Sequence, residues 1–119
     1  MRSLGNKVEA KKTAGKAKVP TIPSTGPLPK ESKKCKDLAK KIGYPIMLKA
    51  SWGGGGRGMR VIRKEIELEN QINTARREAK SAFGKDDVFF EKLIEKAFHV
   101  EVQIIGDTHG NIVHLFERD

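Results

Sequence analysis

The segment Ser51-Trp52-Gly53-Gly54-Gly55-Gly56-Arg57-Gly58-Met59 constrains this chain more than any other. Five of the 12 glycines fall within six positions. Glycine has the most backbone freedom to lose on folding, so such a run is costly in a folded domain. It is tolerated where the main chain must approach something closely. Lys49 and Arg57 flank the run, and bare backbone N–H groups beside two cations suit an anion. The phosphates of a nucleotide fit that description. A hairpin tip without a ligand has the same composition, and the residues alone leave both readings open.

The neighbours of the loop narrow its type. Gly53, Gly55 and Gly58 match G-x-G-x-x-G, but in so glycine-rich a stretch the match carries little. A dinucleotide fingerprint opens a helix immediately afterwards. Here Met59-Arg60-Val61-Ile62-Arg63 follows and reads as a strand, as does Ile46-Met47-Leu48-Lys49-Ala50 before it. No G-x-x-x-x-G-K-[ST] occurs, which excludes a Walker-type loop. Strand, glycine loop and strand make a hairpin flap that can fold over phosphates.

Charge is distributed unevenly. Residues 1–49 hold 13 Lys and Arg against 3 Asp and Glu; residues 50–119 hold 11 against 12. A nucleic-acid arm would fit such an excess. The basic half, however, has one aromatic residue (Tyr44) and one arginine (Arg2), so spaced lysines on solvated helix faces are the favoured reading. With Cys35 as the single cysteine, neither an internal disulfide nor a cysteine-based metal site is available. No apolar run reaches membrane-spanning length, and no secretory signal opens the sequence.

The periodicities predict helices over about 4–17, 30–42 and 65–83. In the second, Cys35, Leu38, Ala39 and Ile42 share a face; Gly43 suits its C-terminal cap and Pro45 bars its continuation. In the third, Leu68, Ile72, Ala75, Ala79 and Phe83 form an apolar stripe, and Gly84 can end it. Four of the five prolines lie between Val19 and Pro29, an extended connector. Strands are predicted for 88–94, 99–105 and 111–116, the last two joined as a hairpin through Gly106–Asn111. The final apolar strand, running to the last residue, reads as continuing into a longer parent.

Residues 41–61, KIGYPIMLKASWGGGGRGMRV, resemble the ATP-grasp segment of biotin carboxylases. So do Phe90-Glu91-Lys92-Leu93 followed by His99-Val100-Glu101-Val102-Gln103-Ile104, and His114-Leu115-Phe116-Glu117-Arg118-Asp119. Ser-Trp before the glycines and Gly-Asp-Thr-His-Gly-Asn are most similar to the pyruvate carboxylase branch. The resemblance is strong over 41–119 and weaker over 1–40. It implies an α+β fold, an ATP-grasp lid-type sandwich with helices packed on one face of an antiparallel sheet. That sheet would join the flap strands to the last three runs. Residues 1–40 would be a basic helical segment with its Pro-rich connector, both peripheral. Residues 41–119 would be the ATP-grasp subdomain, truncated at its C-terminus.

The same resemblance implies chemistry. The parent would carboxylate biotin: bicarbonate attacks the γ-phosphate of ATP to form carboxyphosphate, whose carbon dioxide passes to the biotin ureido nitrogen. Lys7 and Lys49 would reach phosphate, and Gly55 and Gly56 would donate backbone N–H groups from the flap, beside Arg57 and Met59. Glu91, Lys92, Leu93 and Ile94 would form the adenine hinge, Glu91 accepting from the exocyclic amine. His99 would contact nucleotide. The magnesium ligands, the bicarbonate-binding arginine and the general base fall outside this sequence. No catalytic or metal-binding residue is therefore expected here, and the chain alone should not turn over. Mg2+ and biotin would belong to the parent enzyme, and the partners would be ATP, the rest of the carboxylase and the biotin carrier domain. Localisation would follow the parent: cytoplasm, or mitochondrial matrix in a eukaryote. Two rivals stay open, a different ATP-grasp ligase and a non-enzymatic basic binding module.

Overall fold

The chain's first fixed point is a capped helix start. Asn6 accepts hydrogen bonds from the N–H groups of Val8 (2.9 Å) and Glu9 (3.2 Å), which satisfies donors that the first turn leaves free. Helix α1 runs Lys7–Lys16 and α2 runs Ser32–Ile42. Gly43, at φ 85°, ends α2, its N–H donating to Ala39. Strand β1 (Ile46–Ala50) follows, then β2 (Arg60–Ile62) beyond the glycine loop. A short 3-10 turn (Glu65–Glu67) leads into α3 (Leu68–Phe83), which Gly84 closes in a left-handed conformation at φ 73°. Strands β3 (Val88–Lys92), β4 (Glu101–Gly106) and β5 (Ile112–Arg118) complete the order. The structure is a computed structural model and describes residues 5–53 and 58–118.

β2, β1 and β3 form one antiparallel sheet in that order, with Leu48 opposite Phe90 and Lys49 opposite Phe89. Strand alternation divides its faces. Leu48, Ala50, Val88 and Phe90 point to one side, where Leu68, Ile72, Ala75 and Ala79 of α3 and Cys35 and Ala39 of α2 bury them. Met47, Lys49, Phe89 and Glu91 point to the other. The expected helices on one face are α2 and α3; α1 covers part of the opposite face, with Val8 buried.

Two expectations change. The connector is not peripheral. The N–H of Thr25 donates to the carbonyl of Phe90 (2.9 Å), that of Leu28 to Val88 (2.8 Å) and that of Lys92 to Pro23 (2.8 Å). The connector thus satisfies the free edge of β3, and Leu28 enters the core. Arg76 of α3 clamps it by donating to the carbonyls of Leu28 (3.1 Å) and Pro29 (2.7 Å). Its prolines mark extended backbone, but an edge-pairing role depends on which strand lies beside it. Nor do the last three runs join one sheet. β3 pairs with β1, whereas β4 and β5 form a separate two-stranded hairpin. A bulge lies between Val102 and Ile104, and Phe116 near it adopts φ 63°. Every large apolar side chain of this hairpin is more than half exposed, Ile112 by 74% and Phe116 by 71%.

Candidate functional site

Three lysines and one carboxylate meet on the open face of the sheet, next to the start of the glycine loop. Lys49 is there because alternation on β1 turns it away from the core that takes Leu48 and Ala50. Glu91 is there because it follows Phe90 on β3 and so points the other way. α1 supplies Lys7 and Lys11, one helical turn apart and hence on one face. Lys49 Nζ donates to Glu91 Oε1 and Lys11 Nζ pairs with Oε2, so each oxygen has its own ammonium. The Glu91 side chain is 8% exposed, against 22% and 23% for Lys49 and Lys11. Lys11 also donates to the Ile22 carbonyl at 3.0 Å. Lys7 ties α1 to the loop: its N–H donates to Ser51 O (3.1 Å), and its Nζ to Ala50 O (3.3 Å) and Gly53 O.

Three cations against one anion leave this face net positive. Burial pushes the Lys7 ammonium below its ordinary pKa, Lys49 repels it further, and Glu91 partly offsets both. Burial by itself would raise the Glu91 carboxyl; hydrogen bonds from Lys11 and Lys49 outweigh it and hold the pKa below the usual value. A carboxylate with a depressed folded-state pKa stabilises the fold above its unfolded value of about 4.3 and loses that contribution as pH falls through the folded value. Glu91→Gln should therefore flatten the acid limb of a urea-midpoint against pH curve. At neutral pH it should cost about 2–3 kcal/mol, because two poorly hydrated ammoniums lose their counterion. An acid limb identical to that of the wild type would refute the assignment.

The loop base is set by sterics. Gly53 sits at φ 90°, and a Cβ there would lie 2.3 Å from the ring of Phe83, the last residue of α3. Gly53→Ala should destabilise the fold by about 2 kcal/mol or more, combining the backbone penalty with the clash. Phe83→Ala in the same chain should recover the clash part, which thermal unfolding of the two variants would show. Beside Gly53, the Ser51 N–H donates to Asp87 O at 2.9 Å, and the Lys85 ammonium lies 4.0 Å over the Trp52 ring.

A lysine-lined sheet face at the root of a glycine-rich loop is chemically suited to an anion. Residues 6–119 match the family described as Carbamoyl-phosphate synthase L chain, ATP binding domain. The chain belongs to this ATP-binding family. It is 53% identical over 120 residues to biotin carboxylase of Haemophilus influenzae, covering 100% of this chain and 27% of that protein. It is 52% identical over 117 residues to pyruvate carboxylase of Staphylococcus aureus, covering 98% of this chain and 10% of that protein. Among solved structures, Rhizobium etli pyruvate carboxylase with the allosteric activator acetyl coenzyme-A superposes at a TM-score of 0.88. Its identity is 60%, over 98% of this chain and 10% of that one. The biotin carboxylase domain dimer of Hydrogenobacter thermophilus 2-oxoglutarate carboxylase, in complex with MgADP, ADP and bicarbonate, superposes at 0.90. Its identity is 46%, over 98% of this chain and 26% of that one. This ATP-binding domain corresponds to a portion of biotin-dependent carboxylases, roughly a quarter of a biotin carboxylase and a tenth of a pyruvate carboxylase in length.

Within this ATP-binding domain, Lys7, Lys49 and Glu91 come together. Gly55, Gly56 and Arg57 lie outside the described residues. Met59 is 46% exposed at the foot of β2. The Lys92 side chain turns away from Glu91 and donates to the carbonyls of Gly43 (2.8 Å) and Tyr44 (3.1 Å) at the end of α2. Leu93 follows, its N–H donating to Pro45 O at 3.3 Å, and Ile94 is 50% exposed. His99 stands apart, on the approach to the hairpin, 3.5 Å from Glu101. Two neighbours escaped the sequence reading. Lys11 passes for one more surface lysine, although its spacing from Lys7, with Val8 between them on the buried side, is a usable signal. Ser51 is fully buried and its hydroxyl has no partner among the described residues, which no local pattern announces.

Proposed function

We propose that this chain forms the nucleotide-clasping part of a biotin-dependent carboxylase, with pyruvate carboxylase as the favoured parent. The observation that carries the reading is the pairing of Lys11 and Lys49 with one buried carboxylate, beside Lys7 at the root of the glycine loop. That face offers net positive charge and unused N–H donors to an incoming polyphosphate. Lys49 would bond phosphate oxygens, flap N–H groups would close over them, and the segment from Glu91 to Ile94 would hold adenine. The bond-making steps, attack of bicarbonate on the γ-phosphate and transfer to biotin, would use groups elsewhere in the parent.

Among the described residues no group of three or more His, Cys, Asp or Glu side chains is placed to hold a metal ion, and Glu91 is neutralised by two lysines. We expect no bicarbonate-dependent ATP cleavage by the 119-residue chain, because phosphoryl transfer needs a metal held on the phosphates and a positioned base as well as cations. A phosphate-release assay checks this. The rest of the carboxylase polypeptide would supply the missing groups and cover the apolar β4–β5 hairpin. Among the described residues no helix is long and apolar enough to cross a membrane. The direct test is an ATP titration followed by amide NMR. Shifts concentrated at residues 49–59 and 91–94 are expected; shifts confined to the lysines of α2 would overturn the reading in favour of plain charge attraction.

A further inference from the structure

We propose that Lys11 is a positioning residue for nucleotide capture, holding the Glu91 carboxylate when Lys49 leaves it for the triphosphate. The inference rests on the nucleotide reading above and adds a step to it. Without nucleotide, Lys49 is paired with Glu91, so it must exchange partners to reach phosphate. Glu91 is almost fully buried, and a buried carboxylate stripped of all partners carries a heavy desolvation penalty. The two ammoniums occupy different oxygens, so the departure of Lys49 from Oε1 leaves Lys11 in place on Oε2.

The two lysines are not equivalent. Lys11 has a second anchor, the Ile22 carbonyl at 3.0 Å, and sits on a helix whose Lys7 is fastened to Ser51 and Gly53. Among the described residues Lys49 has one partner, Glu91, and it lies one residue from the start of the loop. Lys49 is thus the cation that moves, and Lys11 the cation that stays.

The test measures ATP and adenosine affinities of the full 119-residue chain by calorimetry. Lys11→Met should weaken ATP about tenfold, a change of one unit in log Kd, and adenosine by less than about twofold, because only ATP requires Lys49 to leave. Lys11→Gln, which keeps a donor for the Ile22 carbonyl but not the charge, should behave alike and carries the test if the Met variant does not fold. Lys11→Arg should restore ATP affinity. In a Glu91→Gln background the Lys11→Met effect should vanish, since no buried anion then needs holding; a purely structural lysine would not show that rescue. Parallel loss of ATP and adenosine, or a Lys11 effect that persists without Glu91, overturns the inference and leaves the nucleotide reading standing. A wild-type chain that binds neither compound overturns both.

Discussion

Lys49→Met should raise the Kd for ATP about 30- to 100-fold while leaving adenosine within about threefold. A hydrogen bond to a charged group contributes roughly 1.5–3 kcal/mol, and each 1.4 kcal/mol is a factor of ten. The fold should tolerate the change. Lys49 lies on the open face beside Met47, outside the packed cluster, and Glu91 keeps Lys11 after the substitution. The unfolding midpoint in urea should therefore move little. Calorimetric titrations with ATP, ADP and adenosine give the decisive comparison. The loss should grow with the number of phosphates if Lys49 is a phosphate ligand. Equal losses for all three compounds would mean that the substitution disturbs the sheet, and the site assignment would fall.

Phe90→Ala should cost about 3–5 kcal/mol of stability, the range for removing a buried aromatic ring. Phe90 is fully buried at the middle of β3, opposite Leu48 and over the apolar stripe of α3. Its backbone also holds the connector, with its carbonyl accepting from the Thr25 N–H and its N–H donating to Thr25 Oγ1 at 3.0 Å. A void here loosens three elements that share no sequence proximity. Such a cost is a large fraction of the 5–15 kcal/mol that usually holds a domain together. Phe98→Ala is the matched control. That ring is 97% exposed, so its removal should change the midpoint by under about 0.5 kcal/mol. Comparable losses at both positions would contradict the burial pattern.

The contrast between these two phenylalanines shows what local sequence carries. Both lie late in the chain; Phe90 falls in the strand predicted over 88–94, and Phe98 lies between two predicted strands. Only the register of β3 against β1 places one ring under α3, whereas the other precedes a hairpin that pairs with itself. The α3 stripe was legible because a 3.6-residue period needs no partner to be recognised: Leu68, Ile72, Ala75 and Ala79 are the residues it buries. The glycine caps at 43 and 84 were legible for the same local reason, as positive φ is a property of one residue. The edge role of the Pro23–Leu28 connector was not, since extended backbone gives no sign of which strand it will join.

The candidate site divides in the same way. The sequence by itself determined the glycine flap between two strands, the outward turn of Lys49 and the family resemblance, because each depends on residues adjacent in the chain or on alternation along one strand. Only the tertiary structure decided that Glu91 is shared by Lys11 and Lys49, that Lys7 grips the loop's first carbonyls, and that Phe83 fits against Gly53. Those contacts join positions 30 to 80 residues apart, and ion pairs of this kind leave no periodic trace. Coulomb attraction selects a partner by distance in space, which is set only by the pairing of β3 with β1 and the packing of α1 over the face they share.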